Sequence, residues 1–152
     1  MAGTVTAALA VGVAVMCATG LAAAPSDSDL SVVRLDPAAA PPGGQTVLHA
    51  FVASLGPERT ASPFTVVVDL PQGFTAEGPY FPTDCRAGAH ARLVRCTFGP
   101  GLARYGTATA LIPVRVDADV PPGTKAEGHV KVVSDDDCEP QNDRMPFTLS
   151  VS

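Results

Sequence analysis

Between Thr107 and Val133 the chain alternates apolar and polar residues twice, on either side of a proline corner. Ala108, Ala110, Ile112, Val114 and Val116 interleave with Thr109, Leu111, Pro113, Arg115 and Asp117. Ala126, Gly128, Val130 and Val132 then interleave with Glu127, His129 and Lys131. A period of two sends one set of side chains to a core and the other toward water, which is the signature of a half-buried strand. The corner Val120-Pro121-Pro122-Gly123-Thr124 resists both helix and sheet. Two long strands joined by such a corner belong to an all-β chain.

The rest of the chain follows the same grammar. Leu30 to Leu35 reads as a first strand, and Asp36 to Gly44 as a Pro/Ala/Gly turn region that cannot continue it. Gln45 to Leu55 and Phe64 to Leu70 read as strands. Phe74 to Asp84 reads as irregular, Ala91 to Phe98 as a strand, Ser134 to Met145 as an acidic loop. Phe147, Leu149 and Val151 mark the inner side of a closing strand. About seven strands at these spacings predict an immunoglobulin-like β-sandwich over residues 30–152. The 15 prolines and 14 glycines punctuate the apolar runs, and 46% hydrophobic residues with no Trp predict a core of Val, Leu and Ala with a few Phe. In a chain of 152 residues about two-thirds of the unfolded surface can be buried, enough for one domain.

Residues 1–24 read as a signal peptide, with the uncharged apolar run Ala7–Ala24 ending in small residues. Residues 25–29 are a short polar spacer. The alternative is an uncleaved N-terminal membrane anchor, since the run approaches spanning length. Either reading predicts a secreted or envelope-exposed protein. The net charge of −5 excludes nucleic acid as an expected partner, because phosphate binding needs a basic patch.

The order of short motifs resembles the DUF11 family of bacterial surface repeats, close in shape to CARDB-type immunoglobulin-like modules. The residues that carry the resemblance are Asp29-Leu30-Ser31-Val32, Pro42-Gly43-Gly44, Gly56-Pro57 and Asp69-Leu70-Pro71-Gln72-Gly73-Phe74. To these add Cys85 with Cys96-Thr97-Phe98-Gly99, the proline corner, and Asp137-Cys138-Glu139-Pro140-Gln141-Asn142-Asp143. The resemblance implies the sandwich fold and a non-catalytic binding or structural role, and supplies no functional residues. In an immunoglobulin-like order the proline corner crosses between sheets, and the loops Gly56–Pro63 and Ser134–Met145 share one end.

Four groups of residues are candidates for chemistry. Cys85 and Cys96 flank a short segment and, in an exported chain, are expected to form a disulfide across a hairpin. Cys138 is then the odd one of three, expected to be a free or intermolecular thiol and thus a route to a disulfide-linked dimer. Asp135, Asp136, Asp137, Glu139 and Asp143 could offer oxygen ligands to calcium, although their spacing is not that of an EF-hand loop; a solvated turn is the alternative. His49 and Phe51 fall on the outward set of the Gln45–Leu55 strand, with Val47 and Leu55, where an apolar row would mark a partner surface.

Catalysis is not expected. No nucleophile elbow, zinc-protease helix, P-loop or dinucleotide turn occurs. Asp69 and Glu77 are the one conceivable acid pair of a glycosidase, near Tyr80 and Phe81. The expected function is that of a non-catalytic envelope module with a protein or polysaccharide partner and no required cofactor. The alternatives are a calcium- or carbohydrate-binding accessory module and an enzyme of unrecognised type.

Overall fold

The computed structural model describes residues 25–152, together with the backbone of a small antiparallel pair, β1 (Ala18–Thr19) and β2 (Ala22–Ala23). The leader assigned to residues 1–24 otherwise lies outside the described residues. Ten strands follow: β3 (Leu30–Val32), β4 (Ala38–Ala40), β5 (Gln45–Ser54), β6 (Phe64–Asp69), β7 (Phe74–Ala76), β8 (Cys85–Ala87), β9 (Leu93–Phe98), β10 (Thr107–Val116), β11 (Lys125–Ser134) and β12 (Arg144–Val151). They form a four-stranded sheet in the order β3-β5-β10-β7 and a six-stranded sheet in the order β4-β12-β11-β6-β9-β8. The described residues contain no helix. The chain is an all-β sandwich of the immunoglobulin-like kind.

The period-two reading holds at the inward positions of both strands except Ala126, which is half-buried. Ala108, Ala110, Ile112, Val114 and Val116 are buried on β10, and Gly128, Val130 and Val132 on β11. Phe64, Phe74 and Phe147 complete a core that is otherwise mostly Val, Leu and Ala. The proline corner does carry the chain across, because β10 belongs to one sheet and β11 to the other. The corner is pinned to the end of β12: Gly123 N–H donates to the Val151 carbonyl at 2.7 Å, and Val151 N–H to the Thr124 carbonyl at 2.8 Å. Gly123 sits at φ 85°, a left-handed turn conformation that costs a side-chain-bearing residue energy.

Three further strands appear, two where turns or irregular chain were expected and one on the hairpin bracketed by Cys85 and Cys96. Ala38–Ala40 pairs in parallel with the end of β12, Phe74–Ala76 with the end of β10, and Cys85–Ala87 with β9. Each is three residues long and lies at a sheet edge. An edge strand needs only one partner and one good face, so it leaves little periodic trace. Prolines at 37 and 41 keep the Ala38–Ala40 strand short, which protects that edge from pairing with other chains.

Candidate functional site

The outer face of the four-stranded sheet presents an apolar belt. On β5 the inward set Leu48, Ala50 and Val52 is buried, so Val47, His49 and Phe51 face out. Val47 is 43% exposed, His49 is exposed and Phe51 is half-buried. Register carries the belt across the sheet. Phe51 lies opposite Thr109, His49 opposite Leu111 and Val47 opposite Pro113. Phe81 bridges to Leu111 on the far side and is 57% exposed. Directly opposed residues share a face, so Phe81, Leu111 and His49 form one row. Val33, also exposed, extends the belt from β3, its N–H donating to the Phe51 carbonyl at 2.9 Å. His49 and Phe51 meet edge to face with ring centroids 6.1 Å apart.

A shallow groove borders this belt, lined by Arg34, Asp36, Thr46, Val47, His49 and Phe51. Its lining mixes one cation and one anion with polar and apolar side chains. On the other flank Arg115 and Glu77 form an ion pair, and Arg115 Nη1 also donates to the Gly43 carbonyl at 2.9 Å. The hydrogen bond from Arg115 holds the Glu77 carboxyl below its usual range. A carboxylate held ionised in this way is a poor proton donor. Asp69 is exposed at the end of β6 in the opposite sheet, whereas Glu77 follows β7 and is held by Arg115.

The acidic loop was read as a solvated turn or as a set of calcium ligands, and the structure divides it. Asp135 and Glu139 are exposed. Asp136 is 0% exposed, and its Oδ2 accepts the N–H groups of Ala61 and Ser62 at 2.7 and 2.8 Å. This contact places the loops Gly56–Pro63 and Ser134–Met145 at one end, as the immunoglobulin-like order requires. Asp137 turns the other way, toward Leu30, and Asp143 joins it. The five proposed ligands therefore do not converge, and among the described residues no group of three or more His, Cys, Asp or Glu could hold a metal ion.

The Asp136 clamp carries a prediction. Each hydrogen bond to a charged acceptor contributes about 1.5–3 kcal/mol, while the second carboxylate oxygen, buried without a partner, costs about 1–3 kcal/mol. The two donors outweigh the one orphan, so Asp136→Ala is expected to destabilise the chain by about 2 kcal/mol in a urea titration. A change within about 0.5 kcal/mol, the ordinary effect of a neutral surface substitution, would show that the clamp contributes nothing.

Cys85 and Cys96 face each other in the β8–β9 register and form a disulfide. Cys138 corrects the sequence reading. It is disulfide-bonded, and no cysteine among the described residues is free. The expectation of a free or intermolecular thiol rested on the three cysteines that follow residue 24. The Cys138 route to a disulfide-linked dimer loses its basis with that thiol. His90 and His129 lie apart from the belt; His129 Nε2 is 3.4 Å from Glu127 on its own strand.

The sequence reading located His49 and Phe51 but not Phe81 or Val33. Leu111 and Pro113 were visible as apolar residues in the outward set of β10. Phe81 was not, because it reaches the belt through one isolated bridge rather than a strand.

No family model matches the sequence, and no curated protein matches it. Solved structures do. The fold is similar to the seventh ScaB type I cohesin of Pseudobacteroides cellulosolvens, with a TM-score of 0.54 and 10% identity over 82% of this chain and 92% of that one. It is similar to a chain of the Coh-OlpC-Doc435 type I cohesin–dockerin complex of Clostridium thermocellum, with a TM-score of 0.53 and 8% identity over 88% and 99% of the two chains. A third similar structure is the complex of the third ScaC cohesin with the ScaB dockerin of Acetivibrio cellulolyticus, with a TM-score of 0.53 and 8% identity over 82% and 98%. At such identity the likeness is one of fold: a cohesin-like two-layer β-sandwich.

Proposed function

We propose that the chain is a non-catalytic protein-binding module of the cell envelope or extracellular space, of the DUF11-like kind. Its binding surface is the outer face of the four-stranded sheet. The observation that carries this reading is the contiguous belt of Val33, Val47, Phe51, Leu111 and Phe81 on the outside of a sheet whose inner face is already fully packed. An exposed apolar patch rimmed by polar and charged groups is the ordinary mark of an interaction surface. The partner is a folded protein presenting its own apolar face, since the belt is broad and flat rather than a closed ligand cavity. The cohesin–dockerin complexes among the similar structures support a protein partner for this architecture. The disulfides support an oxidising compartment. Among the described residues no helix is long and apolar enough to cross a membrane.

The test uses the full chain as bait against envelope and culture-fluid proteins. A species retained by wild type and by a control change on the opposite sheet, Val67→Asp, is expected to be lost with Phe51→Asp or Leu111→Asp. With that partner purified, Phe51→Ala is expected to weaken binding by about 2 kcal/mol, roughly 30-fold in Kd, as for a central aromatic anchor. Equal capture by wild type and both belt variants would remove the belt from the interface.

A further inference from the structure

Main-chain groups along β5 point in directions fixed at both of its ends. At one end Ser54 faces β10: its N–H donates to the Gly106 carbonyl at 3.0 Å, and its carbonyl accepts from Tyr105 N–H at 2.7 Å. At the other end the Gly44 carbonyl accepts from Val116 N–H at 2.9 Å, again toward β10. The register between these points is continuous, from Ala53 opposite Thr107 to Gln45 opposite Arg115, so no bulge changes the parity. Even-numbered residues therefore turn their N–H and C=O groups to β10, and odd-numbered residues turn theirs to the other edge. Leu55 and Phe51 obey the rule. Leu55 N–H donates to the Asp29 carbonyl at 2.7 Å, and the Phe51 carbonyl accepts from Val33 N–H at 2.9 Å.

β3 stops pairing there. Leu30, Ser31 and Val32 lie opposite Ser54, Ala53 and Val52, and after Val33 the chain leaves for β4 in the other sheet. Among the described residues, the edge-facing N–H and C=O groups of Val47 and His49 have no main-chain partner. The two outer strands of this sheet are better covered. Val32 N–H, on β3, donates to the Asn142 carbonyl at 3.0 Å, and Ala76 N–H, on β7, to the Ala91 carbonyl at 2.7 Å. Gln45–Ala50 carries no Lys, Pro or acid, the residues that ordinarily blunt an open edge. The departing chain leaves a space beside it: the shallow groove, where Arg34, Asp36 and Ala39 line the same hollow as Val47, His49 and Phe51. Arg34 and Asp36 are exposed, and among the described residues neither is in an ion pair.

We propose that this edge takes an added β-strand: an extended segment of a partner protein docks beside β5 where β3 leaves it. The unpaired donors and acceptors of Val47 and His49 specify main chain as the occupant, because only a strand satisfies alternate residues along an edge. Side chains of the segment opposite Val47 and His49 fall on the outer face of the sheet, where apolar residues are favoured beside Val47. The charges of the groove select an acidic residue toward Arg34 and a basic one toward Asp36. The occupant is thus an alternating apolar strand carrying both signs of charge. The proposal goes beyond the belt reading and stands without it, because it rests on main-chain groups of the β5 edge and not on the face of the sheet.

The test selects displayed random peptides about six residues long, the usual strand length, on the full chain. Recovered peptides are expected to alternate apolar residues. A synthetic copy is expected to slow hydrogen exchange of the Val47 and His49 amides about tenfold or more, and to leave Leu48 and Ala50, already turned to β10, unchanged. Val47→Pro removes the edge N–H, and a strand tolerates proline where that N–H has no partner. Relative to Val47→Ala, which keeps the donor, it is expected to weaken the peptide about tenfold, the worth of one hydrogen bond. Equal urea midpoints for the two variants show that the fold is kept, and His49→Pro against His49→Ala repeats the comparison at the second donor. Leu111→Asp breaks the belt on β10 without touching the β5 edge, and is expected to retain the peptide. Equal affinity for the proline and alanine variants would overturn the proposal, and so would the recovery of no peptide. Loss with Leu111→Asp alone would give the peptide to the belt instead. Self-association of the wild-type chain that Val47→Pro abolishes would also overturn it, giving the edge to a second copy.

Discussion

Gly128→Ala is expected to destabilise the chain by about 3 kcal/mol, at the upper end of ordinary overpacking. A Cβ on Gly128 would lie 2.3 Å from Phe147 Cζ and 2.6 Å from the main-chain oxygen of Asp69. Neither neighbour can yield cheaply. Phe147 is 2% exposed and enclosed by the core, and the Asp69 oxygen belongs to the backbone of β6. Limiting the unfolded chain's freedom would return only about 0.4–1 kcal/mol, so the clash dominates. The measurement is a urea titration of Gly128→Ala, of Phe147→Leu and of the double variant. Phe147→Leu removes the ring atoms that the new methyl would strike, so the double variant is expected to lose less than the sum of the two, by about 1 kcal/mol. Strict additivity would mean that the Asp69 oxygen, not the ring, is the obstacle.

Loss of the Cys85–Cys96 disulfide is the second large effect. The bond joins residues 11 apart, and in the chain-entropy model closing a loop of that size stabilises by about 3 kcal/mol. The local structure gives the loss a second consequence. β8 is a three-residue edge strand attached to the sheet only through β9. Without its covalent hold it is expected to fray and to expose the pairing edge of β9. The double variant Cys85→Ala/Cys96→Ala should therefore show a lower denaturation midpoint and concentration-dependent association. An unchanged midpoint, in wild type with and without reductant as well as in the variant, would show that strand pairing alone holds β8.

These two cases separate what was legible in the residues from what was not. The cysteine pair could be read from its spacing around a short hairpin. Gly128 was read as an inward member of β11, which is where it lies. Its contact with Phe147 could not be read, because alternation assigns a residue to a face and says nothing about which neighbour meets it there. The same limit explains the belt. His49 and Phe51 followed from the parity of β5, whereas Phe81 joined them through a single bridge formed by a segment without periodicity. The acidic loop shows the limit most clearly. Five carboxyls close in sequence looked like one group, yet Asp136 turns to Ala61 and Ser62, while Asp137 turns to Leu30.

Local pattern determined the architecture of this protein, because period-two burial and proline-glycine corners act between near neighbours and leave two layers as the way to cover the apolar faces. Tertiary structure alone decided the partners of each surface group: which residues widen the belt, which main-chain donors each carboxyl accepts, and where a side chain has no room. Those outcomes depend on distances between segments up to 113 residues apart in the chain, as for Asn142 and Asp29, and no local periodicity encodes them.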